Sequence, residues 1–499
     1  MKNFLILFML AGLVSSVSCQ SDARGPRLII LADMGNEPDE EQQMMHMLMC
    51  CNELELEGLI AVTGKYLQPA SKNPYKQKIH PELFHHLIEG YEKVYPNLLQ
   101  HSPGYHDPEY LRSIVASGQT GYGIADTGEG KSTEGSRLII KALEKKDPNP
   151  LYIVVNAGSN TLAQALIDFQ DSHTDAELSE VISKIRVFEN GAQDNAGAWI
   201  CANFPDIHWV RSNFQTYCYG GPSHDGATRH ADWSMDLGPH TWQPYDYSPL
   251  GQHHWALEHI VGDHGPFGMY WPLRQFEGGR IAFLEGGGTV PWLGLVNKGL
   301  YDIDNPWWGG WSGRFSREKK ENYWSRHASV NADEKGVAPF KMYVEASDTW
   351  INPDEGKQYE GIYVPVWRWR QAFFNDFICR MDWCEQSYEN ANHHPVAVLN
   401  GDMSDDILIM EVSPGDEISL DASASKDPDG DELDISWWYY PEAGTFTGEP
   451  VITNASGKKT SISIPDNSSG KEIHIILEVK DQSEVASLWD YRRVVFKIR

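Results

Sequence analysis

The sequence predicts an α/β domain built on a mostly parallel sheet with helices on both faces, followed by an all-β sandwich. Three observations predict this. From Arg27 onward, short runs that are apolar throughout alternate with helix-forming segments, as strands buried on both faces of a parallel sheet do. Near Asn392 the pattern changes to short alternating strands between turn clusters such as Asp427-Pro428-Asp429-Gly430. The chain has 499 residues, 41% hydrophobic and 11% aromatic, which is enough for two cores and too apolar for a disordered chain.

The elements follow in chain order. Residues 1–19 carry one Lys, an apolar core from Phe4 to Val14 and small residues before Cys19, an export signal too short to span a bilayer. Ser16-Val17-Ser18-Cys19 resembles a bacterial lipobox. The expectation is a chain exported to the periplasm or cell surface and tied to the outer membrane by a lipid on Cys19, with plain signal cleavage as the alternative. The first domain spans residues 26–385. In it Leu28–Ala32 reads as strand, Asp39–Cys51 as helix, Gly58–Gly64 as strand and Pro81–Tyr91 as helix. A helix from Ser136, a strand from Leu151, a helix from Asn160 and a strand from Lys184 continue the alternation. Residues 215–390, with stretches such as "NPWWGGWSGRF", read as long loops and extra helices completing that domain. Trp307, Trp308 and Trp311 there are either core or a platform for a sugar ring. Residues 392–499 form the sandwich, closed by "SLWDYRRVVFKIR".

Charge narrows the partners. With 70 acidic against 41 basic residues and a formal charge of -29, the chain has no means of neutralising a nucleic-acid backbone over a broad surface. Six cysteines follow Cys19, and Cys379 and Cys384 make a candidate local disulfide in an oxidising compartment. "GEGKST" (Gly128 to Thr133) ends like a phosphate-binding loop, but Ala125 stands where its first glycine belongs.

The chemistry concentrates in "LIILADMGNEPDEEQQM" (Leu28 to Met44), where Asp33, Glu37, Asp39, Glu40 and Glu41 crowd the end of the first strand. Acids in a first helical turn complement the helix dipole, which accounts for Asp39 to Glu41. It does not account for Asp33, Asn36 and Glu37, which precede the helix. Crowded carboxylates raise one another's cost of ionising unless a cation or polar ligand answers them, and an all-oxygen set suits Ca²⁺. Gln193, Asp194 and Asn195, directly beyond a later strand, are further ligand-binding candidates.

The same segment resembles the N-terminal signature of nucleoside hydrolases, and more closely the nucleoside hydrolase-like domain of the cellulose-binding Sde182 family. "EGLIAVTG", "NAGSNTLAQAL", "ENGAQDNAGAWICANFPD", "DHGPFG" and "EGGGTVPWLGLVNKGL" are similar to further landmarks, and the C-terminal segments resemble that family's Ig-like domain. The resemblance implies that Asp33 touches a Ca²⁺ and takes a proton from the attacking water. It also implies that Glu40 and the Ser159 carbonyl complete the metal site, and that Asn36 and Asp39 hold the sugar. His264 and Glu285 are the nearest counterparts of the late His-Asp pair. Four features depart from the pattern: Leu31 replaces the leading Asp, two residues separate Gly35 from its usual acidic partners, Glu40 stands in for Asp, and Lys65, itself a substrate-binding candidate, takes the place of a sugar-binding Asn.

Two functions follow as expectations. The first is an exported hydrolase cleaving a glycosidic bond in a carbohydrate or nucleoside-like substrate. The alternative is a cellulose- or polysaccharide-binding surface protein that uses the same fold without cleaving.

Overall fold

The computed structural model describes residues 25–219, 249–276, 279–282, 284, 286–296, 299–353 and 356–499, so the segment read as an export signal, with Cys19, and Glu285 lie outside the described residues. Strands β1 (Arg27–Ala32), β2 (Glu55–Ala61), β3 (Val115–Ser117), β4 (Leu151–Val155), β5 (Ile185–Asn190) and β6 (His208–Ser212) are joined by helices. The helices are α1 (Asp39–Met49), α2 (Glu82–His101), α3 (Pro108–Ser113), α4 (Glu134–Leu143), α5 (Asn160–Ser172), α6 (Asp175–Lys184) and α7 (Ala196–Asn203). Later come the hairpin β7 (Arg274–Phe276) and β8 (Gly279–Ile281), then β9 (Lys320–Glu321) and β10 (Lys341–Val344), then the hairpin β11 (Asp348–Ile351) and β12 (Gln358–Gly361). The main sheet has the order β3-β2-β1-β4-β5-β6-β10-β9, parallel throughout except where β9 meets β10.

β1 shows why the apolar runs are unbroken. Successive side chains of a strand point to opposite faces. Leu28 and Ile30 enter the core that α1 and α2 cover, while Ile29 and Leu31 enter the one that α4 and α5 cover. Both faces are buried, so after Arg27 no position of β1 is polar until the strand ends.

Three expectations change. The helix read as Pro81–Tyr91 runs to His101, because Val94 and Leu98 continue its buried stripe past Pro96. The stretch read as loops and helices contributes β10 to the main sheet, a strand too short to show a period. Cys379 and Cys384 are not joined: all six described cysteines are free and buried. The Cys379 thiol points to the Ala486 carbonyl, whereas Cys384 meets the sulfur of Met49, so the two leave their helix in different directions.

The C-terminal unit has two sheets. Strands β13 (Leu408–Val412), β14 (Glu417–Asp421), β15 (Leu433–Tyr439), β16 (Val451–Thr453), β17 (Lys459–Ser463), β18 (Glu472–Asp481) and β19 (Trp489–Ile498) arrange as β13-β19-β18-β15 and β14-β17-β16. All neighbours are antiparallel except β13 and β19. Their facing sides enclose a core of Leu420, Trp437, Ile462, Ile475 and Phe496. The outer side of the larger sheet packs on the first domain, since Tyr440, Ile476 and Tyr491 share a core with Trp311 and Trp369. Trp308 and Trp311 are therefore core, with Trp308 edge-on to His474 and Trp311 edge-on to Tyr491. Trp307 is half-buried under the Arg317 guanidinium. Among the described residues no helix is long and apolar enough to cross a membrane.

Arg493 pins this packing. It is fully buried and donates to the carbonyls of Leu300 (2.8 Å) and Gly309 (2.9 Å), with His474 Nδ1 at 3.0 Å. Removing it orphans two buried carbonyls, each costing on the order of 1–3 kcal/mol. Arg493→Ala is expected to lower stability by about 2–5 kcal/mol in urea unfolding. An unchanged midpoint would show that water replaces the guanidinium.

Candidate functional site

Parallel strands bring their carboxyl ends to one side of the sheet, and β2, β1, β4 and β5 are adjacent there. Each delivers part of one cluster. From β1 the chain turns at once, with the Asn36 N–H donating to the Asp33 carbonyl at 3.0 Å and Gly35 at φ 87°. This turn holds Asp33 under the first turn of α1, which carries Asp39, Glu40 and Glu41. Asp33 is 2% exposed, and its Oδ2 has no hydrogen-bond partner among the described residues. Burial, then the charges of Asp39 and Glu37, raise its carboxyl well above the usual range. Glu40 is raised likewise by burial, Asp39 and Asp33. Burial and Glu37 push Asp39 to about 6, and burial and Asp39 push Glu41 to about 7. Asn36 is buried and accepts from Lys76 Nζ at 2.8 Å.

The other strand ends brace this group. After β4, Asn156 donates to Glu40 Oε2 (3.2 Å) and to the Gly288 carbonyl (3.3 Å), and its own Oδ1 is buried without a partner. After β5, consecutive left-handed residues Gly191 (φ 74°) and Ala192 (φ 47°) reverse the chain and aim Gln193 back at the cluster. Gln193 accepts from the Lys65 backbone N–H (3.1 Å) and donates to the Asn156 carbonyl (3.2 Å). A side chain on Gly64 would sit 2.5 Å from Gln193 Oε1 and 3.2 Å from Asp33 Oδ2, so this approach requires glycine.

Asp194 and Asn195 have local duties. The Asp194 carboxylate accepts from the backbone N–H of Ser159 (3.1 Å), Asn160 (3.3 Å) and Ala196 (2.9 Å), anchoring the start of α5. Burial nevertheless pushes it to about 7. Asn195 accepts from the Ile124 N–H at 3.1 Å. The Ser159 carbonyl takes the first helical bond of α5 from Ala163, and its second lone pair is the one a cation would use. Lys65 stands at the rim, half-buried.

His264 does not join the group. It bonds the Glu258 carbonyl and lies 3.3 Å from Asp382. Asp382 ends the helix Arg370–Asp382, whose Arg380 reaches the Met49 carbonyl at the far end of α1, so His264 packs on the side of the domain away from the carboxylates. Four participants escape the sequence reading. Asn156 lies inside a quoted motif but carries no charge to mark it. Lys76 sits in an irregular stretch. Arg326 and His327 come from a segment more than a hundred residues downstream, draped over the ends of β5 and β6.

A cation fits these residues. Asp33, Glu40 and the Ser159 carbonyl are oxygen donors, buried, and two of them are carboxyls held from ionising; the orphaned Oδ2 of Asp33 is what such a cation would satisfy. Among the described residues, the three side chains of metal-binding type whose donor atoms all lie within 4.8 Å of one another are instead His46, Cys50 and Asp376. That set already has its charge answered, since Asp376 is bonded by Arg380 (2.7 Å) and His394 (2.6 Å).

A family model described as the nucleoside hydrolase-like domain of cellulose-binding Sde182 matches residues 27–315, and one for the C-terminal domain of cellulose-binding protein Sde0182 matches residues 417–498. Among solved structures, the chain is 34% identical to a nucleoside hydrolase-related hypothetical protein from Saccharophagus degradans associated with carbohydrate metabolism. The match covers 95% of this chain and 100% of that one, with a TM-score of 0.78. A second structure, the effector protein XOO4466, is 11% identical over 72% of this chain and 93% of its own, with a TM-score of 0.30. No curated protein matches.

Folded, the raised carboxyls keep protons that the unfolded chain sheds near its ordinary carboxylate values. Stability from these groups is present below about pH 4 and is lost as pH rises through their folded values of about 6 and 7. The metal-free protein should therefore melt at lower temperature at about pH 8 than at about pH 5, with a shallower decline in Glu41→Gln. Equal slopes in the two proteins would contradict this.

Proposed function

The chain belongs to the cellulose-binding Sde182 family, with its nucleoside hydrolase-like domain, and from that membership we propose that its acidic mouth hydrolyses a glycosidic bond with Asp33 as general base. The observation that carries this reading is the buried Oδ2 of Asp33, unpartnered among the described residues and beside two further carboxyls whose protons are held by burial and then by crowding. A base must have a free lone pair to take a proton, and this oxygen, buried at the end of β1, has one.

Ca²⁺ would be held by Asp33, Glu40 and the Ser159 carbonyl, and when bound it supplies positive charge that acidifies nearby water and lets the carboxylates ionise together. The remaining work falls to the chain. Asp33 receives the proton of the attacking water at Oδ2. Asp39, at the start of α1, and Asn36 accept or donate to sugar hydroxyls and fix the ring. The anionic carboxyls also favour positive charge developing at the anomeric carbon. Asn156 holds Glu40 at one oxygen, and Gln193 ties the end of β2 to the end of β4, so the base keeps its place.

The second reading, a grip on polysaccharide without cleavage, is favoured by Leu31. It is fully buried in the sheet where nucleoside hydrolases carry an additional Asp, so the mouth has one anion fewer. Export and lipidation at Cys19 belong to the same proposal, and their test is incorporation of labelled fatty acid that disappears in Cys19→Ser.

Asp33→Ala separates the two readings. Millimolar Ca²⁺ is expected to raise the melting temperature of the wild type and not of the variant. Product release from a panel of nucleosides and plant oligosaccharides should fall by about 10²- to 10⁴-fold in the variant. Turnover equal in both proteins, or absent from both alongside retained polysaccharide binding, would favour the non-cleaving reading.

A further inference from the structure

At the rim of the carboxylate mouth lies a second chemistry, of opposite sign. Lys65 and Arg326 are both half-buried, and neither has a carboxylate within ion-pair distance among the described residues. They are close enough that each adds to the cost of charging the ring between them, His327. In a chain of formal charge -29, two neighbouring cations with no carboxylate at ion-pair distance among the described residues are unusual, and the acid that feels Arg326, Asp39, is held down by it only at longer range.

Their setting is built. The segment bearing Arg326 is fastened by Asn213 to the Trp324 carbonyl (2.9 Å), by Ser325 Oγ to the Ala192 carbonyl (3.0 Å) and by the Arg326 N–H to Asn213 Oδ1 (2.9 Å). The guanidinium lies 4.4 Å from the centroid of the Tyr217 ring and passes so close over Gly191 that a side chain there would meet Nε at 2.3 Å. Lys65 Nζ lies 5.1 Å from the centroid of the Tyr66 ring.

Hydrogen-bond logic then fixes the direction of every donor. Arg326 Nε can only donate, and it reaches His327 Nε2 at 3.3 Å, so Nε2 is the acceptor and the imidazole proton sits on Nδ1. Nδ1 in turn donates to the Tyr66 oxygen at 3.3 Å. Burial and the two cations keep His327 neutral, which is the only state in which this chain closes. The Tyr66 hydroxyl proton is left to point outward from an exposed ring. The rim therefore presents an ammonium, a guanidinium and a phenolic O–H, three donors with no acceptor among them.

We propose that Lys65, Arg326 and Tyr66 form a subsite for an oxyanion carried by the sugar, so that the ligand of this mouth is an acidic glycoside, a uronate or a sugar phosphate, and not a neutral one. This rests on the reading of the neighbouring carboxylates as the place where a sugar binds, and it names the class of sugar. A carboxylate or phosphate accepts from all three donors, while a hydroxyl would leave two charges unanswered. Lys65, at the position of a sugar-binding Asn, thus marks a change of ligand and not a lost contact.

The test is calorimetry on the whole chain with three probes: methyl β-D-glucuronide, glucose 6-phosphate and methyl β-D-glucoside. At least one anionic sugar should bind about tenfold or more tightly than the neutral one. Lys65→Met and Arg326→Met should each bring it close to the neutral probe, with Lys65→Arg retaining the preference. The preferred anion identifies whether carboxylate or phosphate is the natural group. Asp33→Asn keeps the charge preference even if it removes turnover, so failure of the catalytic reading does not imitate failure of this one. Equal binding of all three probes, no binding of either anion at millimolar concentration, or a preference that survives Lys65→Met and Arg326→Met would each overturn the proposal. The last result would mean that the cations serve only to balance the buried acids.

Discussion

A parallel sheet gathers the ends of its strands on one side, and here that side is crowded with carboxyls that burial does not allow to ionise freely. Asp33, Asp39 and Glu40 all hold protons above their ordinary range, and Asp33 keeps one oxygen without a partner. Such an arrangement lowers stability in isolation. It persists because neighbouring strand ends over-determine it: Asn156 grips Glu40, Gln193 ties two loops together, and Gly64 leaves the room that any larger residue would fill. The strain at Ala192 belongs to the same account, since a left-handed non-glycine residue is tolerated where the surrounding bonds leave no alternative.

The C-terminal sandwich has a different relation to this site. It is bonded to the first domain through buried polar contacts far from the carboxylates. Asp348 accepts from Arg314 (2.5 Å), Arg368 (3.2 Å) and the Tyr440 hydroxyl (2.6 Å), and Arg493 reaches back across the same boundary. The arginines that pair with Asp348 lie in the first domain with it, so what crosses the boundary is the Tyr440 hydroxyl and the Arg493 guanidinium, and these fix one orientation because any other docking would leave them buried without their partners. The sandwich therefore acts as a rigid extension of the first domain.

Much of the fold was legible because the signal is local. β1 and β4 are apolar at nearly every position, and only strands covered on both faces need that. The acidic cluster was legible for the same reason: its members are contiguous, and the strand before them sets where they emerge. The rest required distance information. β10 is four residues long with Lys341 exposed, so no period marked it as a sheet member. Arg326 and His327 reach the site from a segment that no turn or helix signal singles out. The pair Cys379 and Cys384 looked like a disulfide on spacing alone, but five residues along a helix and its cap is not a facing interval. His264 carried the right residue type, but its neighbours hold it on the side of the domain away from the carboxylates.

The cysteines have a wider consequence. Each of the six described thiols is buried and shifted toward its protonated form, with desolvation as the leading cause. Among the described residues the packing is held without cross-links and keeps every sulfur away from the surface, so none of these six thiols is placed to answer the redox poise of its surroundings. Oxidants would reach those sulfurs only after the packing around them had already opened.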